Sequence, residues 1–312
     1  MILITLKTQL QNNLIPLFDL HCDTILELYN KNQSIENNDL HISLKKAHYF
    51  SPYFQICAIW SDASLSNEDA YKTYVEVVKY SKKQIDFATT SNDFSNKKFV
   101  LAIEDARILN GDLSRLKNIF NDGVRILTLN WRGNSVIGGG WDTNSHLTDF
   151  GKEVLKECFK YGIIPDVSHS STNTIDDVFA LAERYNKPII ASHSNALSIC
   201  NHKRNISDEH FEWLVKNHSI LGISFANEHL SNECNAKIDD IIRHIDYFLN
   251  SNGENTVCLG CDFDGVTALP LNINSISDLT SVYKQFNNAF GEKITKKIFF
   301  ENAYKFMKKH LK

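Results

Sequence analysis

The chain has 312 residues, 43% apolar and 22% charged, with 33 basic and 37 acidic side chains and a formal net charge of -4. The apolar share excludes wholesale disorder, 13 Gly and 5 Pro exclude a collagen-like or linker-dominated chain, and the mild acidity leaves no electrostatic footprint for nucleic acid or an anionic membrane. Seven scattered Cys argue against a secreted disulfide framework. The N-terminal MILITLK is too short for a signal-peptide core, and no segment approaches the ~20 apolar residues of a membrane helix. The expected location is the cytoplasm.

Eight short apolar runs end abruptly in polar residues: Leu14–Leu20, Phe54–Trp60, Phe99–Ile103, Val124–Leu129, Ile163–Val167, Pro188–Ala191, Ile220–Phe225 and Thr256–Cys261. They are rich in Ile, Val, Leu and Phe and nearly continuous, the pattern of strands buried on both faces of a parallel sheet. Helices are expected between them. Ser66-Asn67-Glu68-Asp69 opens one reaching about Phe87, Thr148-Asp149 caps one that Gly162 ends after Tyr161, and another runs from Ser171 to Tyr185. Ser207-Asp208-Glu209 caps a helix to His218, and helices follow over Asn235–Leu249, Ser277–Phe290 and Lys293–Leu311. Alternating strands and helices with no linker predict a single α/β domain over 1–312, a (β/α)8 TIM-type barrel. The stretch Trp131–His146, with Gly138-Gly139-Gly140, reads either as a lid hinge or as a flexible surface loop.

Active sites of such barrels lie at the C-terminal ends of the strands, so the residues after each run matter most. His21 and Asp23 follow the first, in DLHCDT; Glu104 the third, in LAIEDA; His169 the fifth, in DVSHSS. His193 follows the sixth, in ASHSNA, and Asp262 and Asp264 the eighth, in CLGCDFDG. These form a metal-ligand set. In HxD along an extended segment both side chains project to one side and can hold one cation. Adjacent parallel strands would join His169 to His193, and Glu104 has two oxygens with which to bridge two ions. Imidazole plus carboxylate without thiolate favours zinc, with Mn, Co or Fe as alternatives. Asp23, Glu104, Asp262 and a bridging hydroxide would offset the four positive charges of a pair of divalent ions, leaving it able to ionise water and polarise a carbonyl.

Other candidates carry less. Cys258-x-x-Cys261 lies within a strand and reads as a buried apolar pair, and Cys22 points away from the ligands if its strand stays extended. The remaining His residues (41, 48, 146, 202, 210, 218, 229, 244 and 310) read as surface or loop groups.

The motifs FDLHCDT, LAIEDA, LTDFGKEVLKECFKYGIIPDVSHSS, KPIIASHSNA, KRNISDE and GCDFDGV, in that order, resemble the membrane dipeptidase (renal dipeptidase) family of zinc peptidases. The resemblance spans Phe18 to about Asn302 and implies a metallopeptidase that hydrolyses dipeptides. By it, His21 and Asp23 bind one zinc, His169 and His193 the other, and Glu104 bridges both. Asp262 contacts the attacking water and the substrate amino group, and Arg204 binds the free carboxylate. A homodimer is also implied. One departure stands out. Better-known members carry a carbonyl-polarising His after the fourth strand, where this chain reads LTLNWRGN and offers Asn130 or Trp131 to the substrate. Two alternatives stay open: the same chemistry on another small carboxylated carbonyl (a lactone, β-lactam or N-acyl amino acid), and a non-catalytic metal-binding homologue.

Overall fold

A computed structural model describes residues 14–312 apart from Cys234; the MILITLK segment therefore lies outside the described residues. Eight parallel strands close into a barrel in chain order: β1 (Ile15–Asp19), β2 (Phe50–Trp60), β3 (Phe99–Glu104), β4 (Val124–Thr128), β5 (Ile164–Asp166), β6 (Ile190–Ala191), β7 (Ile220–Ile223) and β8 (Val257–Leu259). All eight apolar runs become strands. β2 starts four residues early, because Phe50 pairs with Ile15.

Among the described residues, ten helices surround the barrel: α1 (Thr24–Lys31), α2 (Asn67–Ser81), α3 (Leu113–Asn121), α4 (Asp149–Tyr161), α5 (Thr172–Tyr185), α6 (Asp208–Lys216), α7 (Ile238–Asn250), α8 (Leu279–Phe290), α9 (Glu292–Lys296) and α10 (Asn302–His310). A single turn, Asn227–Leu230, adds to them. The caps explain the boundaries. The hydroxyls of Ser66, Thr148, Ser171 and Ser207 accept from backbone N–H groups three residues on, and left-handed Gly162 ends α4. α2 stops at Ser81 rather than Phe87, where Ile85 and Phe87 turn into the core and Phe87 pairs with Phe99. The last helical segment is interrupted by a π-turn over Lys297–Glu301. α1 and α3 were not anticipated. For α3 the signal is present: Asp112 accepts from the Ser114 N–H, and Leu116 and Ile119 are buried three apart.

Side-chain alternation divides the core into two shells. One set packs inside the barrel: Phe18 and Leu20, Ile56 and Ala58, Val100 and Ala102, then Ile126, Ile164, Ile190, Ile220 and Cys258. Their neighbours, such as Leu17, Cys57, Leu101 and Ile103, pack outward against the helices. Phe306, Met307 and Leu311 join the inner set and plug the N-terminal mouth. Two residues further along seven of the strands, β2 to β8, the inward phase reaches Trp60, Glu104, Thr128, Asp166, Ser192, Gly222 and Gly260. The apolar layers thus give way to a polar layer at the C-terminal end. The two glycines make room for it: a Cβ on Gly222 or Gly260 would lie 2.0 or 1.9 Å from the Ser192 carbonyl oxygen.

Because Met307 closes the inner core, Met307→Ala should cost about 2–4 kcal/mol of stability. Urea unfolding of the purified protein measures this, with a lower midpoint and an unchanged slope expected.

Candidate active site

The polar layer gathers its groups from separate strand ends. His21 and Asp23 follow β1, Glu104 ends β3, and His169, His193 and Asp262 follow β5, β6 and β8. Glu104 is central. One carboxylate oxygen lies 2.7 Å from His169 Nε2 and 3.5 Å from His193 Nε2; the other lies 3.3 Å from His21 Nε2. His21 Nε2 is also 3.6 Å from Asp23 and 3.8 Å from Asp262. His169 Nε2 and His193 Nε2 are 2.8 Å apart. Two overlapping groups share Glu104: His21, Asp23 and Glu104 on one side, Glu104, His169 and His193 on the other. A third joins His21 and His193 to Asp262.

These residues fit a divalent cation. His21 Nε2 and Asp23 Oδ1 are buried with no hydrogen-bond partner, in side chains that are 1% and 6% exposed. Unpaired buried polar atoms are costly, and a cation among them would satisfy both. Burial pushes the Asp262 carboxyl up to about 7 and, together with the nearby charge of Glu104, pushes Asp23 up to about 6. Burial would raise Glu104 too, but His169 and His21 hold it well below the usual range. Burial lowers His169 to about 4 and His193 well below its ordinary value, with help from Arg204 and His21, whereas His21, which burial alone would lower, is raised well above its own by Glu104 and Asp23. Neutral imidazoles are the form that binds metal.

A second set of groups aims the ligands. Asp166 is fully buried and accepts from Thr128 Oγ1 at 2.6 Å, Ser192 Oγ at 2.6 Å, and the N–H groups of Ser168 and Ser192 at 2.9 Å each. The Ser192 hydroxyl spends its proton on Asp166, so at 2.7 Å it accepts from His193 Nδ1–H. That tautomer leaves the Nε2 lone pair facing Glu104. Asp19 closes the β1–β8 seam, accepting from the Cys261 N–H at 2.8 Å and from Gln55 Nε2 at 3.1 Å. His169 and Asp262 have φ of 67° and 61°, a left-handed backbone uncommon outside glycine. Gly265 is required for space, since a Cβ there would lie 2.1 Å from Asp23 Oδ2 and 2.5 Å from Asp262 Oδ1.

Two cavities of about 210 Å³ each open beside His169. One is lined by Asp23, Glu104, Asp262, Asp264, Trp60 and Trp131 among others. The other contains Arg204, Lys203, Trp141, Ser170 and Ser194. Arg204 is buried and donates from Nη2 to the His193 carbonyl oxygen at 3.1 Å, while its Nε has no partner. Burial lowers its guanidinium to about 10, still cationic at neutral pH. The Trp131 ring lies 5.1 Å from Trp60 and 6.2 Å from His169 by centroids. Asn130 is buried and held instead by Ser135 Oγ at 3.0 Å and Ser170 Oγ at 3.4 Å.

The triple glycine is neither hinge nor slack loop. Gly138, Gly139 and Gly140 are buried, and a Cβ on Gly139 or Gly140 would meet Thr143 Oγ1 or the Arg132 Cα at 2.4 Å. They permit close backbone contact. His210 and His244 are buried, not surface groups: His210 Nε2 lies 2.8 Å from Asp176, and His244 Nδ1 accepts from the Ala196 N–H at 3.0 Å. His41 Nδ1 accepts from the Asp264 N–H at 2.9 Å. Cys258 and Cys261 are buried thiols, and Cys22 Sγ turns toward Cys57 Sγ at 3.7 Å. Sequence reasoning passed over Asp166, Ser192, Trp60 and Gly265, although the first three continue the period of two from Ile164, Ile190 and Ala58.

The profile of the membrane dipeptidase family, peptidase family M19, matches residues 7–311. The chain belongs to this family. Its M19 membership makes it a membrane-dipeptidase-like metallopeptidase. A Klebsiella pneumoniae relative, named as an uncharacterized protein in the pqqA 5′ region, is 28% identical over 222 residues, 67% of this chain and 80% of that one. Among solved structures, the M19 dipeptidase AC superposes with a TM-score of 0.87 at 23% identity, covering 95% of this chain and 99% of that one. A Rhodobacter sphaeroides metallopeptidase liganded with a phosphinate mimic of L-Ala-D-Ala gives 0.87 at 22% identity over the same shares. The probable dipeptidase PvdM of Pseudomonas aeruginosa gives 0.81 at 17%, covering 97% of both chains. These likenesses establish the shared barrel. None of the helices among the described residues is long and apolar enough to cross a membrane.

If Asp166 and Ser192 set the His193 tautomer, Asp166→Asn should weaken metal affinity about 10- to 100-fold in this M19 chain. Competition with a chromogenic chelator reads it directly, and circular dichroism checks that the barrel persists.

Proposed function

We propose that this M19 chain hydrolyses dipeptides bearing a free C-terminal carboxylate, with two zinc ions. The observation that carries the reading is the pair of ligand groups sharing Glu104, set between a cavity containing Asp262 and one containing Arg204. His21 and Asp23 would hold one ion, His169 and His193 the other, and Glu104 both. When bound, such ions supply Lewis acidity and make water a nucleophile at neutral pH.

The chain's own residues do the rest. Asp262, pushed up by burial, is suited to accept a proton from the attacking water and return it to the departing amine. Arg204 carries an unpaired Nε beside its cavity, and its planar fork matches a carboxylate at two points. Fixed charge at both ends of a short ligand selects dipeptides over longer chains. Trp131 lines the cavity, in the segment where by the resemblance better-known members carry a His. An indole cannot titrate, so carbonyl polarisation here does not depend on an ionising imidazole from this segment. The phosphinate dipeptide mimic bound to the Rhodobacter relative supports the substrate class.

Three outcomes are expected. Elemental analysis of protein prepared without chelator should find two metal ions per chain, and chelation should abolish dipeptide turnover that added zinc restores. Glu104→Gln should lose at least about 100-fold in kcat, since one charge shared by both ligand groups disappears. Arg204→Lys should lower kcat/KM for free dipeptides by about 10- to 100-fold, with amidated dipeptides poor substrates from the start. Equal wild-type rates on free and amidated dipeptides would remove Arg204 from the site.

A further inference from the structure

The cavity on the Asp262 side holds more negative charge than the proposed ligands and proton carrier account for. Of the ten residues lining it, five are carboxylates and none, among the described residues, is Lys or Arg. Asp23 and Glu104 belong to the ligand groups and Asp262 adjoins them. Asp264 is engaged by Thr24 Oγ1 at 2.5 Å and the His41 N–H at 2.7 Å. Glu27 has no such commitment. It sits on α1 four residues after Asp23, about one helical pitch from the ligands. Its contacts are Asn30 at 3.2 Å and Lys31 at 3.5 Å; the Lys31 side chain is 49% exposed, so solvent screens that pair.

The apolar wall suits the same ligand. Trp60 and Trp131 meet edge to face, with buried Trp60 Nε1 unpartnered. Aromatic faces take the stem and head of a long cationic side chain. Arg132, paired with Asp142 at 3.6 Å, lies with its guanidinium 5.7 Å from the centroid of the Trp131 ring.

We propose that this cavity selects dipeptides whose N-terminal residue carries a cationic side chain, Lys or Arg, with Glu27 as the specificity-determining residue. The proposal rests on the dipeptidase reading, with the amino end of the substrate at Asp262 and its carboxylate at Arg204. A Lys or Arg side chain leaving an α-carbon near Asp262 would enter the cavity that Glu27 also lines. An acidic N-terminal side chain would meet uncompensated carboxylates and be rejected.

The test compares arginyl-alanine with citrullyl-alanine, its neutral near-isostere, and glutamyl-alanine, each with L- and D-alanine, on the zinc-loaded enzyme. Wild type should favour arginine over citrulline by roughly five- to tenfold in kcat/KM, less at high salt. The ratio should fall to about one in Glu27→Gln and recover in part in Glu27→Asp, and the phosphinate analogues of the same pair should show the same ratios in binding. A wild-type ratio of one or below, or a ratio unchanged in Glu27→Gln, with neutral dipeptides still hydrolysed, overturns this proposal and leaves the dipeptidase reading standing. No turnover of any dipeptide overturns both.

Discussion

Two imidazole nitrogens, His169 Nε2 and His193 Nε2, face each other at 2.8 Å around the buried carboxylate of Glu104. Unless one nitrogen donates a proton to the other, their lone pairs repel at that separation, and bare ions buried there are costly. A shared cation relieves both problems. Much of the barrel's upper end follows from holding this cluster in place. Asp166 accepts four hydrogen bonds to fix one histidine, Asp19 and Gln55 lock the β1–β8 seam beneath another, and Gly222, Gly260 and Gly265 remove side chains from its path.

The cluster also separates two chemically different cavities. Carboxylates and tryptophans line one, while Arg204 and Lys203 mark the other, with His169 common to both. A short ligand lying across His169 meets negative charge at one end and positive charge at the other. On the proposed reading this polarity would favour a zwitterionic substrate, since a longer peptide would bury one of its neutral amides against a charge. The buried Arg204 remains cationic because Glu104, Asp262 and Asp166 counter the cost of its burial.

Stability and function meet in the alternation of the strands. Inward positions are apolar near the C-terminal helix, where Phe306 and Met307 fill the barrel mouth, and polar one step higher. The polar layer needs the rigid apolar layers below it, because its hydrogen bonds are worth most when geometry is fixed in advance. The left-handed backbones of His169 and Asp262 mark where local preference yields to that geometry.

The sequence by itself determined the barrel and offered the candidate ligands at its strand ends. Eight continuous apolar runs can be buried on both faces only in a covered parallel sheet, and each candidate ligand stands within three residues of a run's end, so strand ends and candidate chemistry were legible together. Caps such as Ser66, Thr148 and Ser171 fixed helix starts for the same local reason, a hydroxyl beside unpaired N–H groups. The tertiary structure alone decided what depends on distant residues meeting in space. While the tight packing of Gly139 and Gly140 and the Ser135 hydrogen bond to Asn130 form within one irregular loop, the buried partners of His210 and His244 and the placement of Glu27 against the cavity beside Glu104 arise between segments far apart in the chain. No periodicity records such contacts, because they depend on how the barrel closes and not on what any one segment prefers.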